Sequence, residues 1–466
     1  MGQASTYFFD ANDAEKQTLH KRITPSDSQF EEQQLRWNAL ADFLVDDLNK
    51  QSGYPIRTWL QGSYKFATQV RPVHKGDEFD IDLGIYYCWN GDRDDSDYRP
   101  KELKQMVQAG LRRFKDTNGD VVEVVVPPKP RCCRVRFQGD FHIDVPCYHL
   151  DEERDARSLA TEDDEWEDSD PKAIYVWFKD QFEDYERGRV RRLVRYLKAW
   201  AALKFKDGEG RPSSLLLTVL AAEAARDLEE ELPAAEDEAL AKVLQKITER
   251  LNNSRKVENP ADTEHGEDLT ARLTDDEWRA FTQKLGYFSD RAAEAIEDDD
   301  TLVACSRWSV EFEHLFPLPD ENELDDRAAN LPIVVTQPEV RVHAVSRDNP
   351  NLRYTGVNTI GPIAKNCSIT FEVTNAWQMP AGTTFYWMVR NEGEEAEDVN
   401  DLGHKAGTGL RAEEHSAYSG KHFMDCTAVA GDRIVGLRRV PVTIRGLAAP
   451  KRNPPRPAYV KIRGRR

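Results

Sequence analysis

QGSYKFATQVRPVHKGDEFDIDLGIYY, residues 61–87, is the stretch whose reading decides the fold. Gly62-Ser63 offers a turn of small residues with free backbone N–H groups, suited to close approach of a polyphosphate at a helix N-terminus. Asp80-Ile81-Asp82 then follows on a strand. Because strand side chains alternate, Asp80 and Asp82 share one face while Ile81 and Leu83 enter the packed side. About sixty residues further on, FHIDVPCY repeats the pattern. Phe141, Ile143 and Val145 alternate with His142, Asp144 and Pro146, so Asp144 faces away from the apolar set and can join the pair as a third carboxylate.

Like charges about 4 Å apart repel by roughly 4 kcal/mol at an effective dielectric near 20, so three clustered aspartates without a basic partner call for bound cations. Hard oxygen ligands imply Mg²⁺ or Mn²⁺. Two such ions would activate an attacking hydroxyl, steady an in-line transfer and neutralise a leaving pyrophosphate, which makes nucleotidyl transfer the expected reaction class. An isolated Asp-x-Asp is usually a solvated strand face. Here Gly-Ser lies seventeen residues before the pair, Thr68 stands between them, and a separate strand supplies the third aspartate. No GxxxxGK[ST] loop occurs, so the P-loop manner of holding a triphosphate is excluded.

At 466 residues the chain has room for two or three domains. Its 39% hydrophobic and 32% charged residues describe a soluble globular protein with a heavily charged surface. The sequence has no apolar run of membrane-spanning length and no signal-peptide core in MGQASTYFFDANDAEK, so a cytoplasmic protein is expected. MGQAST fits the N-myristoylation pattern through Gly2 and Thr6, but six residues this loosely specified carry little weight. Seven cysteines, Cys88, Cys132, Cys133, Cys147, Cys305, Cys367 and Cys426, form an odd set without C-x-x-C spacing and suggest neither a disulfide framework nor a zinc site. A net charge of −19 argues against long DNA or RNA as substrate or activator, while leaving small nucleotides open. The exception is the tail KRNPPRPAYVKIRGRR, with seven basic residues.

Ser28 with Glu31 has the pattern of a capping box opening a first helix, with Leu40, Phe43, Leu44 and Leu48 at helical spacing. Residues 55–150 mix β-rich runs (VVEVVV, CCRVRF, FHIDVPCY) with one helix near 100–115, as in an α/β palm. Residues 151–170 hold eleven acidic and two basic residues and read as an exposed loop. Candidate helices follow at 174–186, 188–206, 213–228, 238–252, 270–284 and 289–299. Beyond FPLPDENELDDRAANLP the periodicity becomes β-type, in VRVHAV, SITFEVTN, TTFYWMVRN, HFMDCTAVA and RVPVTIRG, and a β-sandwich is expected. The organisation is therefore α+β: palm and N-terminal helix over 1–170, a helical lobe over 171–325, a linker over 326–338, an all-β sandwich over 339–448 and a basic tail over 449–466.

Helix 188–206, GRVRRLVRYLKAWAALKFK, is the most basic in this acidic chain. Val190, Leu193, Leu197 and Trp200 recur toward the core, while Arg191, Arg195 and Lys198 share another face that can receive a triphosphate. Ser213 or Ser214 then opens the next helix and presents a hydroxyl with N-terminal N–H groups.

Together GSYKFAT, DEFDIDL, FHIDV, RYLKAW and RPSSLLL resemble the bacterial cGAS/DncV-like nucleotidyltransferases, a branch of the DNA polymerase β-like superfamily, over roughly residues 25–325. RWSVEFEHLFPLP resembles that family's aromatic closing segment. The resemblance implies joining of ATP, GTP or other nucleoside triphosphates into a cyclic oligonucleotide messenger in anti-phage defence. It places the donor triphosphate at Gln61, Gly62, Ser63 and Thr68, metals at Asp80, Asp82 and Asp144, and phosphate contacts at Lys198 and Ser213 or Ser214. The C-terminal region, particularly FYWMVRNEGEEAEDVNDLGHKAGTGL and HSAYSGKHFMDC, is similar to the adenylyl/guanylyl cyclase and SMODS C-terminal sensor, which implies a small ligand or phage-derived trigger. Trp387, Asn391, Gly393, Tyr418, Gly420 and His422 are its candidate residues, although Trp387 and Tyr418 read first as core or strand-packing aromatics. His404, His415 and His422 fit no strong metal-ligand spacing. Two alternatives stay open: synthesis of linear oligonucleotides or modification of a macromolecule on the same palm, and a non-catalytic sensor or scaffold.

Overall fold

Residues 2–206, 210–262, 266–319, 336–431 and 433–445 are described by the computed structural model. They divide into two units, within residues 1–319 and within residues 320–466. The expected tail over 449–466, linker residues 326–335 and the last three residues of the expected sandwich lie outside the described residues.

In the first unit the long helix Asp27–Ser52 is capped by Ser26, whose hydroxyl accepts from the Gln29 N–H while the Gln29 side chain accepts from Ser26 N–H. This corrects the expected Ser28–Glu31 box by two residues, because Ser26-Asp27-Ser28-Gln29 offers the same chemistry one half-turn earlier. Leu40, Leu44 and Leu48 are buried against a sheet and against the helix Pro100–Thr117. The sheet comprises β1 (Ile56–Gln61), β2 (Phe79–Cys88), β3 (Val121–Val124), β4 (Cys133–Phe137), β5 (Phe141–Val145), β6 (Cys147–Asp151), β7 (Ala156–Ala160) and β8 (Trp166–Asp168), ordered β3-β4-β5-β2-β6-β7-β8 with β1 also on β2. β2 is the axis. Along one side it runs parallel first to β5 and then to β6, the two halves interrupted at Pro146.

Residues 151–170 are not an open loop, as their acidity suggested, but the end of β6 plus β7 and β8. Several of their charges are paired: Glu162 with Lys101 (3.2 Å) and Lys104 (3.0 Å), and Arg157 with Asp170 (2.9 Å). Asp170 also caps the helix Pro171–Asp180. The helical part continues with Asp184–Lys204, Ser214–Leu228, Glu236–Asn253, Asp275–Glu297 and Thr301–Phe312. The expected helices at 270–284 and 289–299 are one helix, because Thr274 caps it with Glu277 and Phe281, Leu285, Phe288, Ala292 and Ala295 keep an unbroken buried stripe. Phe8, Trp308, Phe312 and Phe316 form an aromatic cluster in this unit.

The second unit is β-rich. One sheet, ordered β10-β9-β12-β15, uses β9 (Val340–Ser346), β10 (Arg353–Val357), β12 (Cys367–Val373) and β15 (Arg411–His415). The other, ordered β11-β17-β16-β13-β14, uses β11 (Ile360–Ile363), β13 (Thr384–Arg390), β14 (Gly403–Thr408), β16 (Gly420–Ala430) and β17 (Arg433–Ile444). Val342, Phe371, Trp387, Met424 and Val440 from both sheets share one core. Among the described residues no helix is long and apolar enough to cross a membrane.

Candidate active site

Strand register assembles the site. Asp82 of β2 lies beside Gln61 of β1 on one side and Asp144 of β5 on the other, and Asp144 lies beside Arg134 of β4. The next row pairs Asp80 with His142, and His142 with Arg136. Directly paired residues project from the same face of a sheet, so three carboxylates, one imidazole and two guanidinium groups converge there.

Gly62 makes room for this row. It adopts φ +57°, and a Cβ at that position would stand 1.9 Å from Asp82 Oδ2. Only glycine allows both the left-handed turn and the close approach. Ser63 ties the turn to Thr68, whose N–H donates to Ser63 O at 2.9 Å. On the same face Gln61 reaches the stacked tyrosines Tyr86 and Tyr148: its Nε2 donates to Tyr86 OH (2.8 Å) and its Oε1 accepts from Tyr148 OH (3.1 Å).

Desolvation, reinforced by the charges of Asp80 and Asp144, pushes the Asp82 carboxyl well above its usual range. Burial opposes ionisation of Asp144 as well, but hydrogen bonds and charge from Arg134, then Lys129, outweigh it and hold this carboxyl low. Arg134 grips both oxygens (2.5 and 2.8 Å) and Lys129 adds a contact at 3.0 Å. The premise that the aspartates lack a basic partner is thus corrected. CCRVRF carried the signal, since Cys133, Val135 and Phe137 turn inward and leave Arg134 and Arg136 on the carboxylate face.

Lys198 donates to Thr68 Oγ1 at 3.0 Å from a buried position. Burial, then the Arg195 charge, lowers it to about 7 against the opposing pull of Asp82 and Asp80. Arg195 donates to Gln69 O (3.3 Å) and lies 3.1 Å from His20 Nε2. Ser213 is the cap of the helix Ser214–Leu228, its hydroxyl accepting from Leu216 N–H at 3.0 Å; Ser214 is exposed at the first helical position.

Sequence reasoning left out His142, although it occupies the same strand face as Asp144. One ligand atom from each of Asp80, His142 and Asp144 falls within 4.8 Å of the others, a group able to hold a metal ion. Asp82, paired with Asp144 across β2 and β5, adjoins it. The donor chemistry of these residues fits a divalent ion.

In the second unit Trp387 is in the core, donating to Gly409 O at 2.7 Å. Asn391 and Tyr418 both bond to Asp401 (2.9 and 2.7 Å), and His422 Nε2 lies 2.9 Å from Tyr418 O. Gly393 and Gly420 both carry positive φ. His404 contacts Glu414, and His415 contacts Arg347.

Residues 56–148 match the family model for the nucleotidyltransferase domain of DncV-like cyclic GMP-AMP synthase, and residues 321–445 match the adenylyl/guanylyl and SMODS C-terminal sensor domain. The chain is 29% identical to a cyclic GMP-AMP synthase of Escherichia albertii over 96% of its own length and 97% of that protein. It is 28% identical to a c-di-GMP synthase of Roseivirga ehrenbergii, over 40% of this chain and 54% of the relative. The crystal structure of Vibrio cholerae DncV cyclic AMP-GMP synthase superposes with TM-score 0.57 at 20% identity, covering 68% of this chain and 98% of that one. A second structure of that enzyme, in complex with a linear intermediate pppA(3′,5′)pG, gives TM-score 0.56 at 18% identity, covering 68% and 99%.

Proposed function

The chain is a cGAS/DncV-like nucleotidyltransferase with a C-terminal sensor-type domain, and from that premise we propose that it makes a cyclic oligonucleotide from nucleoside triphosphates, ATP and GTP among them. The observation carrying this reading is the register that sets Asp80, Asp82 and Asp144 on one face beside the Gly62 turn. In each transfer a ribose hydroxyl oxygen bonds to the α-phosphorus of a second nucleotide, the bond from that phosphorus to the bridging oxygen breaks, and pyrophosphate departs. A second transfer within the linear product closes the ring. The similarity to an enzyme captured with a linear intermediate supports that order.

Asp80, Asp82 and Asp144 would hold Mg²⁺ or Mn²⁺, which supplies hydroxyl activation and neutralises the leaving pyrophosphate. Asp144 orients the acceptor hydroxyl. Gly62 and Ser63 bring backbone N–H groups to the donor triphosphate, with Thr68 bracing their turn. Lys198 turns from Thr68 toward phosphate, where a nearby anion restores its positive charge. Ser213 or Ser214 contacts the same phosphates. We place the product in anti-phage signalling, with the C-terminal domain, over 339–448 beyond the linker, receiving a small or phage-derived trigger. Long nucleic acid is not that trigger, given the net charge of −19.

Incubation with each labelled triphosphate, and with all four, in Mg²⁺ or Mn²⁺ followed by phosphatase tests this. A phosphatase-resistant product that disappears in Asp80→Asn/Asp82→Asn is expected. Phosphatase-sensitive chains would instead make the enzyme a linear polymerase, and no product under any condition would leave a scaffold.

A further inference from the structure

His142 stands between two carboxylates. Its Nδ1 lies 2.8 Å from Glu78 Oε2, and Glu78 is itself held by Arg136 Nε at 3.2 Å. On the other side its Nε2 lies 2.8 Å from Asp80 Oδ1. The ring is only 8% exposed, yet Nε2 makes no hydrogen bond among the described residues. A neutral imidazole has one donor and one acceptor nitrogen. A divalent ion held between Nε2 and the Asp80 oxygen satisfies both atoms and leaves Nδ1 to Glu78.

The surroundings match a metal ligand. A ligating histidine usually donates its other N–H to a carboxylate, which fixes the tautomer and the ring plane, and Glu78 occupies that place. Neighbouring donors on an octahedral ion with bonds near 2.1 Å are about 3 Å apart. The 2.8 Å separation of Nε2 and Oδ1 fits two such neighbours, and Asp144 completes a group within 4.8 Å.

We propose that His142 Nε2 is a direct ligand of the divalent ion shared with Asp80, and that this nitrogen makes the site prefer Mn²⁺ over Mg²⁺. The proposal rests on the cation-dependent reading given above. Magnesium takes oxygen ligands almost exclusively and demands near-ideal geometry, whereas manganese accepts an imidazole more readily. Glu78 is then a positioning residue, acting on the metal through the ring.

Electron spin echo spectroscopy of Mn²⁺ bound to the full chain without nucleotide tests the ligand. Modulation from ¹⁴N is expected, replaced by the ¹⁵N pattern in protein grown with ¹⁵N-histidine, and lost in His142→Ala. The labelled wild-type protein answers the question even where that variant fails to fold. Dissociation constants for Mn²⁺ and Mg²⁺, measured by competition, should favour Mn²⁺. Glu78→Gln should shrink that advantage about tenfold by loosening the ring. Mn²⁺ bound with no nitrogen modulation overturns this inference alone. Failure of wild-type protein to bind Mn²⁺ at all overturns the cation-dependent reading with it.

Discussion

At Gly62 the geometry admits no substitute. Alanine there must adopt φ +57° and place its Cβ 1.9 Å from Asp82 Oδ2, so either the turn or the carboxylate moves. Displacing a reacting group by about 1 Å costs roughly a hundredfold in rate, and backbone strain of this kind costs about 1–3 kcal/mol. Gly62→Ala should therefore lose at least about a hundredfold in kcat with a lowered Tm; full activity would sink the idea. Lys198 separates stability from function. Its folded value near 7 lies below the ordinary 10.5, so between those pH values the unfolded chain binds a proton that the folded chain releases. Stability from this group is complete above about 10.5 and is lost as pH falls to 7, where the buried charge is fully borne. Lys198→Met should unfold at higher denaturant than wild type at pH 6–7, by about 1–4 kcal/mol, and the gap should close toward pH 10. Its turnover should fall at the same time. A variant less stable at pH 6 than at pH 10 relative to wild type would contradict the assignment.

Elements convert these residues into a site, and β1, β2, β4 and β5 do so through register alone. Alternation in the sequence was enough to put Asp80 and Asp82 on one face, and Asp144 on another strand's polar face. What alternation cannot supply is which strands are neighbours, and therefore that Arg134 clamps Asp144 and that His142 meets Asp80. The acidic run over 151–170 misled for a related reason: composition reports charge, but Lys101 and Lys104, which pair Glu162, lie elsewhere in the chain. In the second unit the five quoted runs became β9, β12, β13, β16 and β17, while β10, β11, β14 and β15 lacked a long apolar alternation and were not legible. Gln61, expected at the donor triphosphate, bonds to two tyrosines in this structure. Its amide donates to Tyr86 and accepts from Tyr148, and Gly84 leaves it space, since a Cβ there would meet Gln61 Nε2 at 2.1 Å. Gln61→Leu takes from the buried Tyr86 hydroxyl its Gln61 partner, leaves Tyr148 with Ser169, and should cost about 1–3 kcal/mol in chemical denaturation. KM for ATP should change by less than about threefold, because no uniform substrate contact is removed. A large rise in KM at unchanged stability would instead put Gln61 on the nucleotide.

Over the whole molecule, a net charge of −19 coexists with Arg134 and Lys129 on Asp144 and with Lys198 and Arg195 near Asp80 and Asp82. The two act over different distances. At physiological ionic strength the Debye length is about 8 Å, so a triphosphate seated among these side chains responds chiefly to them, while a long polyanion spans the acidic surface and is repelled. Partners that neutralise 6–10 backbone phosphates lose about 10³–10⁵ in affinity between 50 and 200 mM salt. For this enzyme the same change should alter KM for ATP by less than about tenfold, and duplex DNA should leave turnover unchanged. Measuring initial rates across that salt range, with and without duplex, decides the matter. Stimulation by duplex DNA that disappears steeply with salt would mean that a basic surface, not these four side chains, governs the partner of this chain.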